Sequence, residues 1–274
     1  MPLETTPLET TPLETMKFEK DGYVGRLTLN RPHILNAVNY QGALELKQAA
    51  QGISDDPDLR IVLIRGEGRA FCTGIDLKEL SAGGTPQDYF QVWEEALRIF
   101  EQAEKIILCV MHGYALGGGL QLPLACDIRI ATEDCLMGLP AAPESFVPGL
   151  GTYRLPRYVG LGRAKWMVLS GENIDGRRGH EFGLVDHLVK SDSMDQEVEE
   201  LVERYLGLSS AGSLQSKTLL GVHKDLPYDE FLEEYLRRQA IAVASPDHDE
   251  AMNAYREGRN PVYSAKPANP TNPP

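Results

Sequence analysis

The chain has 274 residues, 42% of them apolar and 24% charged, with 27 basic against 40 acidic side chains and a formal net charge of −13. That length suits one large α/β domain or a domain with an appendage. The acidic balance excludes a chain built for non-specific binding to nucleic acid or to an anionic membrane.

In chain order, residues 2–15 repeat Pro-Leu-Glu-Thr-Thr almost three times before Met16. Proline every five residues forbids a regular helix and the repeat has no core-forming face, so 1–15 is expected to be a disordered leader, with Met16 the native start. This stretch lacks the basic-then-apolar order of a secretory signal, so a cytoplasmic location is expected. Residues 23–29 read as a strand, 40–53 as an amphipathic helix and 61–65 as a buried strand. Residues 85–105 have helical periodicity through Phe90, Trp93, Leu97 and Phe100. A second buried strand follows at 107–111, a short helix at 118–124 and a third strand at 128–132. Although 106–125 carries no charged side chain, its four glycines, Pro123, His112 and Gln121 divide it into strand, turn and helix rather than a membrane span. Strand–helix alternation favours parallel strands with crossover helices, hence an α/β fold. Past about Tyr205 the strands stop. Helices are expected over 231–244 and, after a break at Pro246, over 247–256. The expected divisions are a core over 16–204, a helical region over 205–263 and a flexible tail over 264–274.

Two glycine-containing segments carry the chemistry, Phe71-Cys72-Thr73-Gly74-Ile75-Asp76 and Gly113-Tyr114-Ala115-Leu116-Gly117-Gly118-Gly119. Each follows an apolar strand and leads into a helix. Unhindered N–H groups at a helix start point outward at the positive end of the dipole. Two such turns side by side could offer two amide donors to one oxygen, the arrangement of an oxyanion hole for an acyl group. Asp76 is positioned to cap the helix that starts near Leu77, with a catalytic carboxylate as the alternative. Cys72, Cys109, Cys126 and Cys135 form no C-x-x-C pair, so buried free thiols are expected and no metal site. The chain lacks the G-x-x-x-x-G-K loop of NTPases, the G-x-G-x-x-G turn of dinucleotide enzymes and the G-x-S-x-G elbow of serine hydrolases.

In this order and separation the two segments resemble the crotonase (enoyl-CoA hydratase/isomerase) superfamily. Leu29-Asn30-Arg31-Pro32 with Asn36-Ala37, and Cys126-Asp127-Ile128-Arg129, match flanking patterns, and the likeness runs from about Phe18 to about Tyr263. The resemblance implies a spiral of ββα turns with a C-terminal helical oligomerisation region, a homotrimer or dimer of trimers, and an acyl-CoA substrate. Coenzyme A then enters as part of the substrate, with no prosthetic group. Carried over residue by residue, the Ile75 and Gly118 N–H groups become the thioester donors. Thr73, Asp76, Leu77 and Lys78 fall in the stretch along the CoA moiety, with Lys78 near the phosphates or free in solvent.

The resemblance also marks departures. Hydratases of the superfamily place one glutamate two residues after the glycine triplet and another in a downstream Pro-Glu segment. Here those positions hold Gln121, an amide that cannot exchange a proton near neutral pH, and Ala141, which has no polar atom. Ordinary two-glutamate hydration is therefore not expected. Glu144, three residues past Ala141, would share its face if the stretch forms a helical turn, and is the candidate proton carrier, with a surface role as the alternative. The cluster Arg154, Arg157, Arg163 and Lys165 could meet CoA phosphates or a neighbouring subunit, or form a solvated helix face. His112, Tyr114 and Tyr153 are further polar candidates. These residues suit isomerase-like, decarboxylating or thioester-hydrolysing chemistry, or a non-catalytic acyl-CoA binding protein.

Overall fold

A computed structural model describes residues 13–223 and 225–263. Along the chain run β1 (Met16–Asp21), β2 (Val24–Leu29), α1 (Tyr40–Asp55), β3 (Ile61–Gly66), α2 (Leu77–Ser81), α3 (Tyr89–Gln102), β4 (Ile106–Met111), β5 (Tyr114–Leu116) and α4 (Gly118–Leu124). Then come β6 (Ile128–Thr132), β7 (Leu136–Gly138), α5 (Gly151–Val159), α6 (Leu161–Ser170), α7 (Gly176–Glu181) and β8 (His187–Val189). Four helices follow: α8 (Met194–Leu206), α9 (Ser210–Val222), α10 (Tyr228–Val243) and α11 (Pro246–Glu257).

The larger sheet has the order β1-β2-β3-β4-β6-β8, with β1 antiparallel to β2 and the other pairs parallel. β5 and β7 pair in a second, two-stranded parallel sheet, which a single bridge from Cys72 to Ala115 extends. The repeat is thus a strand in the large sheet, a strand in the small one, then a helix: β4-β5-α4, then β6-β7-α5. This is the spiral of ββα turns, with a helical C-terminal region beyond it.

β3 and β4 read as unbroken apolar runs because both their faces are covered. Val62, Ile64, Ile107, Cys109 and Met111 enter the core that includes α1 and α3, whereas Ile61, Leu63, Leu108 and Val110 pack with Val198 and Val202 of α8. α1 starts where the Asn39 side chain accepts from Gly42 N–H, and it buries Ala43, Leu46, Ala49, Ala50 and Ile53. α3 is shorter than the expected 85–105, because a turn through Pro86 delays its start to Tyr89. Pro246, read as a break, is instead the first residue of α11, a position that loses nothing by lacking an N–H.

The leader differs from its expectation at one end. Residues 1–12, and the tail over 264–274, lie outside the described residues. Residues 13–15, by contrast, are docked: Thr15 N–H and Oγ1 donate to Glu45 Oε2 at 2.8 and 2.6 Å, and Glu14 N–H donates to Oε1 at 2.9 Å. Glu45 sits on the buried face of α1, and a buried carboxylate there requires donors. Burial pushes its pKa up, but the bonds from Thr15, Gln41 and the two backbone amides outweigh that and hold it below the usual value.

The flanking motifs act as braces. Asn36 Nδ2 donates to the Glu67, Ala70 and Phe71 carbonyls. Arg129 donates to the Cys126 and Leu184 carbonyls and to Asp186 Oδ2 at 2.6 Å. Asp127 accepts from Ile107 N–H and from Lys217 Nζ, each at 2.8 Å, which latches α9 onto the core. All four cysteines are buried free thiols, and burial pushes Cys72 up to about 12.

Candidate active site

The turn after β3 is clamped on both sides of Ile75. Val38 N–H donates to Gly74 O at 2.7 Å and Asp76 N–H to Val38 O at 2.9 Å, while Thr73 N–H donates to Leu35 O at 3.2 Å. Gly74 N–H faces Cys72 Sγ at 3.4 Å. The amides around Ile75 are therefore engaged, but among the described residues Ile75 N–H itself donates to nothing. Leu35 and Asn36, which shape the clamp, both have φ of 56°, a left-handed conformation that is costly for leucine.

The second turn is made by Gly117, with φ 55° and ψ −120°. Its N–H donates to Gly138 O at 3.0 Å, and its carbonyl accepts from Leu120 and Gln121 N–H, both at 3.0 Å. Gly118 is the first residue of α4, so its N–H precedes the first intrahelical bond and has no partner among the described residues. The turns pack tightly: a Cβ on Gly74 would stand 2.9 Å from Gly118 N, and one on Gly119 only 2.1 Å from Cys72 O. Glycine at 119 is the condition for the two segments to touch.

A cavity of about 290 Å³ opens beside these turns. Ile75 and Gly118 line it, as do Thr73, Leu77, Gln121, Ala141 and Glu144, so seven of the residues singled out in the sequence meet at one place. Its apolar wall comes from Tyr89, Phe90 and Trp93 of α3 with Phe146 and Val147. Gln121 lies three residues beyond Gly118 on α4, and its Oε1 is buried with no donor among the described residues. Trp93 Nε1 is a buried donor in the same condition. The Tyr89 hydroxyl donates to Val38 O at 3.1 Å, and burial pushes its pKa up.

The other candidate residues take varied places. Residues 141–145 form a turn rather than a helix, closed by Phe146 N–H to Ala141 O at 2.9 Å, with Ser145 at φ 59°. Glu144 still reaches the cavity, but from an exposed rim. Asp76 caps α2, accepting from Lys78 and Glu79 N–H, and pairs with Arg31 at 3.1 Å; it does not line the cavity. Lys78 is exposed and outside the lining. Arg154 is buried in ion pairs with Glu94 at 2.7 Å and Glu101 at 2.8 Å, and Arg157 and Arg163 lie over the Tyr153 and Phe182 rings. His112, Tyr114 and Tyr153 do not line the cavity.

One carboxylate of the cavity lining escaped the sequence reading. Glu94 of α3 lines the cavity beside Trp93. Its place four residues after Phe90, on the edge of the apolar stripe, was the available signal. Among the described residues no group of three or more His, Cys, Asp or Glu could hold a metal ion, and no helix is long and apolar enough to cross a membrane.

The fold is shared with known proteins. Residues 19–266 match the family model described as enoyl-CoA hydratase/isomerase. A crotonyl-CoA hydratase of Syntrophomonas wolfei is 30% identical over 253 residues, covering 90% of this chain and 97% of that protein. A peroxisomal Δ(3,5)-Δ(2,4)-dienoyl-CoA isomerase of Arabidopsis thaliana is 28% identical over 260 residues, covering 89% and 94%. The crystal structure of an enoyl-CoA hydratase from Bacillus anthracis superposes with a TM-score of 0.85 at 27% identity, covering 92% of this chain and 100% of that one.

Proposed function

The chain belongs to the enoyl-CoA hydratase/isomerase family, and we propose that its chemistry centres on a thioester carbonyl gripped by the Ile75 and Gly118 N–H groups. One observation carries this reading: two amides without partners among the described residues, Ile75 N–H and Gly118 N–H, belong to adjoining turns that line one cavity. As electrons move toward the carbonyl, the oxygen gains negative charge, whether in an enolate or in a tetrahedral adduct. Preorganised donors in a site shielded from water favour that state by roughly 3 kcal/mol each. The acyl group occupies the aromatic-walled cavity, with Thr73 and Leu77 flanking the thioester. Proton transfer falls to the two carboxylates that border the cavity, Glu94 and Glu144. Gln121 and Ala141 occupy the usual acid/base positions and serve as an oriented amide and as a spacer.

We further propose homotrimeric assembly. It is supported by an exposed apolar stripe on α10, formed by Tyr228, Leu232, Tyr235 and Leu236.

Gly118→Pro tests the reading. Proline suits the first position of a helix, and Gly117 has the mirror image of the extended conformation that proline requires before it. The substitution thus deletes one donor and leaves the fold intact. Turnover of enoyl-CoA esters is expected to fall about 100-fold or more. Unchanged turnover would contradict the assignment, and tight binding of acyl-CoA without product in the unsubstituted chain would mark a binding protein instead.

A further inference from the structure

The charge in the cavity wall is of one sign. Two carboxylates line it, Glu94 and Glu144, and among the described residues no basic side chain does. Arg154 pairs with Glu94 at 2.7 Å from outside the lining, but it is shared with Glu101 at 2.8 Å, so the three groups together keep one negative charge. Arg98 reaches Glu101 at 3.5 Å from solvent, where its charge is screened. Glu144 is exposed at the rim, with no ion pair or hydrogen bond among the described residues. The rest of the wall is aromatic. Phe90 and Phe146 meet as a corner, with ring centroids 6.2 Å apart and planes at 53°, and Tyr89 stands edge-on to Phe90 at 5.3 Å. Phe146 lies two residues from Glu144 on the same turn, and Trp93 follows Phe90 on α3. Gln121, 7% exposed, adds a buried acceptor to the lining, since its Oε1 has no donor among the described residues.

Ring faces carry negative potential and attract a cation that sits within about 6 Å of the centroid, most strongly when water is excluded. Carboxylates beside such rings add a Coulombic pull that a low-dielectric enclosure strengthens. A quaternary ammonium fits both features. It has no N–H to satisfy, its methyl groups pack on aromatic faces, and their polarised hydrogens meet oxygen acceptors such as Gln121 Oε1. We infer that the acyl group bound here carries a quaternary ammonium on its chain, held by the aromatic corner and the Glu144 carboxylate while the thioester lies at the Ile75 and Gly118 amides. The inference rests on the thioester reading above. An uncharged alkyl tail would make the same apolar contacts but leave the carboxylates facing hydrocarbon, which is costly. A positive tail also reduces the ligand's own negative charge, and so its repulsion from a chain of net charge −13.

The test compares two saturated esters of the same shape on the full chain: 4-(trimethylammonio)butanoyl-CoA and 5,5-dimethylhexanoyl-CoA, in which carbon replaces the nitrogen. Calorimetry gives both Kd values, with butyryl-CoA as the reference. In a merely apolar cavity the neutral ester binds tighter, because the ammonium must shed water. The inference predicts the reverse, with the cationic ester tighter by about 10-fold or more. Phe146→Leu keeps an apolar side chain and removes one ring face, and Glu144→Gln removes one charge while keeping the shape. Each should cut the preference about 3-fold while the Kd of the neutral ester stays within about 2-fold. Equal binding of the two esters, or tighter binding of the neutral one, overturns the inference and leaves the thioester reading standing so long as butyryl-CoA binds. A preference that both variants leave unchanged overturns it as well. Failure of all three esters to bind overturns the thioester reading itself.

Discussion

At the scale of single residues, the site depends on where a side chain is forbidden. Gly119 and Gly118 are adjacent and differ in kind. A Cβ at 119 would lie 2.1 Å from Cys72 O, which is backbone and cannot yield, whereas at 118 it would meet only Gly74 Cα and the Trp93 ring at 3.4 Å. Gly119→Ala is therefore expected to destabilise the fold by several kcal/mol, roughly 3 or more, and Gly118→Ala by about 1 kcal/mol or less. Equal urea midpoints for the two variants would contradict this packing. The glycine triplet was legible in the sequence as a helix start with exposed amides, because backbone conformation needs no partner to be inferred. Glu94 was not legible as a site residue. Its place depends on contacts distant in sequence, with the Leu150 amide and with Arg154, which the sequence put in a basic cluster facing CoA phosphates, a neighbouring subunit or solvent but which the fold buries against Glu94 and Glu101.

Among the elements, those with one strong period were readable. α1, α3, β3 and β4 declare themselves through stripes or runs that the two cores then bury. β5 and β7 have three residues each, too few for a period, and exist because they pair with one another and with the bridge at Cys72. The docking of residues 13–15 was hidden for a different reason: its cause is Glu45, a buried carboxylate thirty residues away. That carboxyl has a pKa below the usual value in the folded state. Its contribution is therefore complete above the unfolded pKa, near 4.5, and is lost as pH falls through the folded value. Glu45→Gln should cost roughly 2 kcal/mol at pH 7 and flatten the loss of stability on acidification. Urea titrations across that window check it; an unchanged pH dependence would show that Glu45 does not hold the segment.

For the molecule as a whole, an acidic chain must present its substrate-binding surface without help from net charge, since −13 repels a polyphosphate ester. Recognition then rests on short-range donors and apolar enclosure, the features gathered around the cavity. The exposed stripe on α10 bears on assembly, and light scattering should return three or six times the 30.3 kDa chain mass. A monomer would contradict the proposed trimer. The most direct test of the central claim is the infrared carbonyl stretch of crotonyl-CoA labelled with ¹³C at the thioester carbon, measured free and bound. Two amide donors on one oxygen should polarise the bond and lower the bound frequency, and Gly118→Pro should remove much of that shift. A bound frequency equal to that in water, or one indifferent to Gly118→Pro, would contradict the account.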